Sequence, residues 1–397
     1  MLFKPLDKDA FAQTVLRAAQ EADLGPLVYD PAEFSLKGTD RDVTVHLGNV
    51  FAEYRAARPW QRNGILAGFM CQFQGLTETL EPSAEEARAT LRPRIRERAY
   101  FGVLHLRDEI EGTQRSEPPF RELGGGHLTL EVVLGRPDTI RSVSAEHLAD
   151  WGLTFEDALA IGNENLLRLG TSRFQSPRPG LFVSAWRDVY DASRLHLGEV
   201  VTGLPAKGRP VAMVPNRNTL IVTGADDPEG LAAMARLTEE ALKQPRPMTG
   251  YAFRLDNGWV PFLPPTGHPA FVPLRRLAVQ TLAGDYEEQK GLLDALHKKN
   301  GLDVFVASVM VMEDRGTKDR SSVATWAEGA DTFLPRMDKV AFIRPVEGKE
   351  PNVLGMADWA RVKGVLGSLL EPQGLYPERF RGRGFPTEEQ LGRLELA

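Results

Sequence analysis

The residues whose types and spacing come closest to a reactive pair are His105 and Asp108, in the segment HLRDEIE. If this segment is helical, His105 and Glu109 are neighbours on one face, an arrangement that suits proton transfer between an imidazole and a carboxylate. A hydrolase-type enzyme that uses His105 and Asp108 is therefore one hypothesis. No HExxH or comparable metal-binding pair accompanies these residues, so the pattern favours a solvated acidic stretch.

Other short motifs of catalysis and cofactor binding are missing from the sequence. It contains no G-x-S-x-G turn and no G-x-x-x-x-G-K-[ST] or G-x-G-x-x-G phosphate loop. Glycines 124–126 precede a predicted strand rather than a helix, which favours a flexible turn over a phosphate cradle. Cys71, the only cysteine, excludes an intramolecular disulfide and a four-thiolate zinc site, and is typical of a small buried residue. We therefore expect neither a cofactor nor a metal site.

Basic side chains cluster in one short segment of the chain. They are Arg88, Arg92, Arg94, Arg96 and Arg98. On a helix the first, second and fourth of these share one face and the other two share another, although Pro93 and Glu97 interrupt a continuous stripe. Such guanidinium groups can neutralise phosphates, so nucleic-acid contact is a second hypothesis. A solvated face with intramolecular ion pairs is the alternative.

A third set of residues is apolar. Trp259 and Phe262 lie in a predicted hairpin that is followed by Pro264-Pro265, and together they form a rigid apolar patch. Such a patch is either a surface for a protein partner or part of a core, and a core is the more common outcome.

Composition limits the classes of protein that need to be considered. The 397 residues are 42% apolar and 26% charged, which is typical of globular domains. The balance of 48 basic and 54 acidic residues, a net charge of −6, argues against a general polyanion binder. The start MLFKPLDKDAF lacks the apolar core of a signal peptide, and the run Val304–Met312 is too short to span a bilayer. We expect a cytoplasmic protein without membrane contact.

Hydrophobic periodicity predicts an α+β fold built from ββα-type units, with mixed or antiparallel sheets covered by helices. The clearest unit has strands at 211–214 and 219–223 and a helix that begins after Asp227, an ideal N-cap. Further predictions include helices at 7–22, 49–73 (interrupted near Pro59), 81–98, 271–299 and 356–370, a hairpin at 251–263 and a single strand at 304–312.

Connectors divide the chain. The segment QPRPMTG at 244–250 is the best boundary, and it separates residues 1–245, with two lobes split near 112–120, from a second α+β domain at 248–372. Residues 373–397, rich in Gly, Arg and Pro, are predicted to form a loosely packed tail.

Two stretches, HLADWGLTFEDALAIGNENLLRL at 147–169 and VAMVPNRNTLIVTG at 211–224, resemble the YtpQ-like family of bacterial proteins. The similar elements are the helix start Leu148–Gly152, the pair Glu164–Asn165 and the proline-centred strand turn. The resemblance extends over roughly residues 1–245. It implies a domain of unknown function and brings no reaction or catalytic residues.

These observations favour a non-catalytic protein-interaction or scaffold role in the bacterial cytoplasm, with a protein partner. The expectation depends on the missing motifs, since no positive binding signal supports it. The hydrolase-type enzyme and the nucleic-acid contact remain the alternatives.

Overall fold

The computed structural model describes residues 7–40, 43–77, 82–113, 116–136, 139–170, 173–346, 348 and 350–396. Several sequence predictions extend into the gaps, among them the helix predicted from residue 81 and the tail predicted to residue 397. The first six residues, which contributed to the expected location, and residues 114–115, within the expected split near 112–120, lie outside the described residues.

Residues 7–77 form a unit with its own apolar core. Its elements are α1 (Lys8–Glu21), β1 (Leu27–Asp30), β2 (Ser35–Gly38), β3 (Thr44–His46), α2 (Gly48–Ala56), a 3₁₀ turn (Pro59–Gln61) and α3 (Arg62–Thr77). The strands form an antiparallel sheet in the order β1-β2-β3. Phe11 and Val15, on the predicted apolar stripe of the first helix, are buried in this core with Phe51. The first helix and the interruption near Pro59 are confirmed.

The next region is built around an antiparallel sheet. Its elements are α4 (Ala84–Thr90), β4 (Leu91–Glu97), α5 (Ala99–Glu111), β5 (Phe120–Leu123), a 3₁₀ turn (Gly124–Gly126), β6 (Leu128–Gly135), β7 (Ile140–Ser142), α6 (Ala145–Asp150) and α7 (Phe155–Leu167). Strand β6 pairs with β4 along one edge and with β5 and then β7 along the other. This sheet and its helices share one apolar core with residues of the sheet that follows in the chain, such as Ala212 and Phe253.

The helix predicted over residues 81–98 is wrong beyond Thr90, where strand β4 begins. Leu91, Pro93 and Ile95 face the core, and the arginines between them lie on the other face. This alternation has the period of a half-buried strand. Pro93 is tolerated because β4 is an edge strand, where a missing N–H does not interrupt a ladder.

A six-stranded sheet follows. Its elements are β8 (Phe174–Arg178), β9 (Leu181–Ser184), a 3₁₀ turn (Ala192–His196), α8 (Gly198–Thr202), β10 (Pro210–Asn216), β11 (Thr219–Gly224), α9 (Pro228–Leu242), β12 (Ala252–Leu255) and β13 (Trp259–Pro261). The strand order is β13-β12-β10-β11-β9-β8. The predicted ββα unit is confirmed, and Asp227 caps α9 by accepting from the Gly230 N–H at 3.0 Å. Since β12 pairs with β10, this sheet continues across the boundary expected at 244–250.

The remaining residues carry two four-stranded sheets. Their elements are α10 (Phe271–Asn300), β14 (Phe305–Val306), β15 (Val309–Glu313), β16 (Arg320–Ala327), β17 (Thr332–Pro335), β18 (Lys339–Arg344), β19 (Asn352–Asp358), α11 (Trp359–Leu366), a 3₁₀ turn (Gly367–Leu369), β20 (Leu370–Pro372), β21 (Arg379–Gly382) and α12 (Glu388–Arg393). The sheet orders are β14-β17-β21-β20 and β15-β16-β18-β19. The single strand predicted at 304–312 is therefore two strands in different sheets, and the start of the helix predicted from Met356 belongs to β19.

The C-terminal residues are packed into this region, in contrast to the loose tail predicted for 373–397. Arg379 on β21 is 1% exposed and Leu394, after α12, is fully buried. The guanidinium of Arg379 donates to the side-chain oxygen of Gln289 and to three backbone carbonyls. Hydrogen bonds of this kind compensate the burial of a charge, a role that composition alone did not reveal.

The fold is α+β, as predicted, with antiparallel and mixed sheets covered by helices. None of the helices in the described part of the chain has the length and apolar character needed to cross a membrane.

Candidate functional site

A cavity with an excess of positive charge lies between the N-terminal unit and the sheet that contains β4. We call it the basic cleft; its volume is about 750 Å³. Six cationic side chains and three carboxyl groups line it: Lys8, Arg94, Arg96, Arg107, Arg217 and Arg246 with Glu33, Glu97 and Glu288. The cleft therefore has an excess of positive charge, although the whole chain is acidic.

Two of the clustered arginines enter this cleft from the outward face of β4. Arg94 donates to Glu131 at 2.7 Å and to Ser142 at 2.7 Å, and Glu131 is fully buried. Burial opposes the charge of Arg94, but Glu131 outweighs it and raises the pKa of Arg94 above its usual range. Arg96 lies over the ring of Tyr100, with its guanidinium carbon 3.4 Å from the ring centroid. Arg94 is thus fixed by a buried pair, whereas Arg96 is partly exposed and lies 3.7 Å from Glu97.

Other cations of the cleft come from distant parts of the chain. Arg107 on α5 lies 3.2 Å from a ring nitrogen of His46 and 3.6 Å from Glu288 on α10. Arg246, which has a left-handed φ of 60°, pairs with Glu53 on α2 at 3.3 Å. These contacts hold the N-terminal unit against the rest of the molecule around the cleft.

Arg217 differs from these residues in its pairing. It lies in the turn between β10 and β11, its Nε is buried without a hydrogen-bond partner, and no described carboxylate forms an ion pair with it. Nearby, burial raises the pKa of Glu97 against the opposing influence of Arg96. A carboxyl group whose ionisation is suppressed balances less of the positive charge. Four of the six cations of the cleft have described carboxylate partners. Arg217 has none, so it contributes positive charge that the described carboxylates do not balance.

A second cavity of about 660 Å³ lies between the glycine turn after β5 and the C-terminal sheets. We call it the His127 pocket. The His127 ring stacks on Tyr251 with centroids 4.1 Å apart, and its Nδ1 lies 2.9 Å from the hydroxyl of Tyr376. Burial, with smaller contributions from Arg336 and Arg98, lowers the pKa of His127 to about 4. The imidazole is neutral near pH 7 and too weakly basic to act as an efficient general base.

The arginines of the His127 pocket are paired. Arg98 lies 2.9 Å from Glu122, and Arg336 lies 2.8 Å from Glu378. Beside the pocket, burial raises the pKa of Asp285 on α10 to about 8, and Glu97 and Glu288 add to the shift. The pocket is thus lined by aromatic rings, by a neutral imidazole and by arginines that already have carboxylate partners.

The glycine turn forms one wall of this pocket. Gly124, Gly125 and Gly126 all have left-handed φ values, of 59°, 65° and 87°. A Cβ atom on Gly124 would lie 2.5 Å from the Phe253 ring, so both the backbone conformation and the packing require glycine there. The flexible turn expected from the sequence is in fact a closely packed one.

The sequence-predicted catalytic residues lie outside both cavities. His105 on α5 is exposed and lies 3.5 Å from Glu109 one turn later, and Asp108 accepts from the Thr113 hydroxyl at 3.0 Å. The helical neighbourhood of His105 and Glu109 is as predicted. The arrangement matches the solvated acidic stretch that the sequence pattern favours.

The predicted arginine cluster is divided. Arg88 is on α4, Arg92 donates to the carbonyls of Ala89 and Leu91, and Arg98 lines the His127 pocket. Because β4 is a strand, the arginines do not share the two helix faces that were predicted for them. Only Arg94 and Arg96 remain together, in the basic cleft.

Burial bears on two further expectations, the apolar patch, for which a core was the favoured alternative, and Cys71, for which the expectation is wrong. Trp259 is buried in the main core, and its indole N–H donates to the Leu195 carbonyl at 2.9 Å, so it offers no partner surface. Phe262 is half-buried against a neighbouring core that includes Leu274. Cys71, expected to be buried, is exposed on α3.

Sequence reasoning missed the cleft and the pocket because their residues are far apart in the chain; His127 and Tyr376, for example, are separated by 249 positions. Within the described ranges, no group of three or more His, Cys, Asp or Glu side chains could hold a metal ion. Comparison with known proteins found no matching family model, curated protein or solved structure, so the resemblance to the YtpQ-like family stays a prediction.

Proposed function

We propose that the protein is a non-catalytic binding protein that holds a small anionic ligand in the basic cleft. One observation carries the proposal: six cationic side chains face three carboxyl groups in a single cavity, and Arg217 has no described carboxylate partner. Arg217 is half-buried and its buried Nε–H lacks a hydrogen-bond partner, which is costly, and an anion that accepts from this group would remove the cost.

The chemistry of the cleft favours a phosphate- or carboxylate-bearing molecule. Guanidinium groups match the planar, bidentate geometry of both anions. The volume of about 750 Å³ is in the range of small-molecule sites. Tyr100, already stacked under Arg96, provides an aromatic surface beside the cationic groups.

The other functions considered have weaker support. Nucleic-acid contact through the arginine cluster remains a prediction, but the cluster is divided between the cleft, α4 and the His127 pocket. Hydrolysis through His105 and Asp108 also remains a prediction, although neither residue lines a described cavity. The protein-interaction role is compatible with ligand binding.

The test is calorimetric titration of the full chain with inorganic pyrophosphate and, separately, with succinate. We expect Arg217→Gln to weaken binding of the preferred anion about tenfold, the equivalent of one charge-assisted hydrogen bond. Arg209→Gln is the matched control, because Arg209 is 66% exposed and pairs with Asp256 outside the cleft.

Binding should also weaken as salt is added, since the Debye length falls from about 30 Å at 0.01 M to about 8 Å at 0.15 M. Failure of the unmodified chain to bind either anion at low salt would refute the proposal. Equal loss of affinity in the Arg217 and Arg209 variants would locate any binding elsewhere.

A further inference from the structure

Strand β15 presents an apolar edge to solvent. It is the outer strand of the sheet β15-β16-β18-β19, and its central residues Met310, Val311 and Met312 are 48%, 42% and 48% exposed. Exposed apolar edge strands are templates for pairing with another chain, and proteins usually blunt them with charge, proline or a bulge. None of these devices interrupts residues 309–312.

The register of the β15–β16 hairpin determines which backbone groups are free. The Asp314 N–H donates to the Asp319 carbonyl at 2.9 Å, so this pair is hydrogen-bonded. Hydrogen-bonded and non-hydrogen-bonded pairs alternate along an antiparallel ladder. Met312 and Met310 therefore bond to β16, and the N–H and C=O groups of Val309, Val311 and Glu313 point away from the sheet.

We propose that β15 pairs with β15 of a second copy of this chain, antiparallel and centred on Val311. The sequence Val-Met-Val-Met-Glu is nearly self-complementary in this register. Val311 lies opposite its own copy, and Met310 lies opposite Met312 of the other chain. The free backbone groups at 309, 311 and 313 then meet one another, which is the pattern that a hydrogen-bonded centre requires.

The charges around the strand are compatible with a second copy. Residues 313–320 carry three acidic and three basic side chains: Glu313, Asp314 and Asp319 with Arg315, Lys318 and Arg320. Glu313 is already paired with Lys318 and Arg320 of its own hairpin. The segment carries no net charge, so two copies meet without net repulsion.

The opposite edge of the same sheet provides an internal comparison. Strand β19 exposes Val353 at 61%, but its pairing with β18 shifts register between Phe342 and Ile343. Such irregularities twist an edge and hinder pairing with another strand. Strand β15 pairs with β16 without a shift, so it is the edge suited to association.

The association is expected to be weak and dependent on concentration, since β15 offers five residues against the roughly 20–30 a side of a standard interface. Light scattering of the full chain at rising concentration should show a doubling of mass. The Met310→Lys/Met312→Lys double variant should remain at the monomer mass while it keeps the unmodified melting temperature. A chain that stays monomeric at every concentration would overturn the proposal.

Cross-linking tests the register directly. In a Cys71→Ser background, Val311→Cys should form a disulfide-linked dimer on mild oxidation, because hydrogen-bonded antiparallel pairs hold Cα atoms about 5.5 Å apart, within disulfide range. Val353→Cys on β19 is the matched control and should remain largely monomeric. Equal cross-linking at both positions, or a dimer that survives the lysine substitutions, would refute pairing through β15. These outcomes are independent of anion binding in the basic cleft.

Discussion

The basic cleft and the His127 pocket have similar volumes and both contain arginines, but they differ in how far these arginines are balanced by carboxylates. In the cleft the cations outnumber the carboxyl groups, and the tightest pair, Arg94 with Glu131, is buried within the wall. In the pocket Arg98 and Arg336 have partially exposed carboxylate partners, and His127 is neutral. The cleft is therefore suited to an external anion, whereas the pocket has already satisfied its own charges.

This difference shows that a count of arginines is a poor guide to an anion site. Arg94 and Arg98 lie four residues apart in one cluster, yet Arg94 is fixed by a buried carboxylate and Arg98 by an exposed one in the other cavity. What matters is whether a cation is paired and whether the pair is accessible. The following changes test that distinction.

The largest effect is expected from Arg94→Met, which breaks the buried pair of the cleft. Glu131 is 0% exposed, and its second carboxylate oxygen already has no hydrogen-bond partner. Loss of Arg94 would leave a buried unpaired charge, so we expect the free energy of unfolding to fall by about 3–5 kcal/mol. Urea denaturation measures this. The Arg94→Met/Glu131→Leu double variant should recover much of the loss; a double variant as unstable as the single one would contradict the assignment.

The titrating groups beside the His127 pocket predict a distinctive dependence of stability on pH. Asp285 has its pKa raised from 3.8 to about 8, so its carboxyl group is protonated in the folded chain and costs stability as the pH rises from about 4 to 8. We expect Asp285→Asn to be more stable than the unmodified chain by about 2–4 kcal/mol at pH 8, and nearly equal to it at pH 4. Denaturation across this pH range is the measurement.

His127 has the opposite effect on the pH dependence of stability. Its pKa falls from 6.5 to about 4, so the unfolded chain binds the proton first and stability is lost as the pH falls through this window. The two groups oppose each other between pH 4 and 6.5. We therefore expect the His127 contribution, up to about 3 kcal/mol, to emerge in the Asp285→Asn variant and to disappear in Asp285→Asn/His127→Gln. An unchanged slope on removal of His127 would contradict a buried neutral imidazole.

A smaller effect is expected for the exposed pair of the pocket. Arg336 and Glu378 are 60% and 53% exposed, so solvent screens their attraction. Arg336→Gln should change the free energy of unfolding by less than about 1 kcal/mol. A loss comparable to that of Arg94→Met would remove the contrast between the two cavities.

The smallest effect is expected at the surface pair on α5. His105→Ala should alter stability by less than about 0.5 kcal/mol and leave anion binding unchanged, because His105 is 56% exposed and outside both cavities. Urea denaturation measures the stability, and calorimetric titration measures the anion binding. Loss of anion binding in this variant would revive the hypothesis that His105 belongs to a functional site.

Local patterns predicted much of the fold. The capped helix after Asp227 and the hairpin around Asp256-Asn257-Gly258 depend on turn and capping residues that are adjacent in sequence. The strand β4 was missed although its arginines alternate with Leu91 and Ile95, because the preceding helix and the i, i+4 spacing of the arginines suggested helical continuation.

Features that depend on distant contacts were not predictable in this way. The run 304–312 is apolar except for Ser308, which lies between the two strands, and a single serine is too weak a signal to predict that the chain leaves one sheet for another there. Lys8 and Glu288 line the same cleft, and His127 and Tyr376 line the same pocket, although each pair is far apart in the sequence. Short-range spacing carries no information on such pairs, which is why the sequence predicted the elements better than the site.

Helix α10 has a consequence for communication across the molecule. Its 30 residues extend for about 45 Å, and it contributes Glu288 to the wall of the cleft and Tyr286 to the wall of the pocket. The two cavities thus share one helix, so a displacement of α10 at one cavity would move a wall residue of the other. By thermodynamic reciprocity, whatever coupling free energy this helix transmits acts equally in both directions.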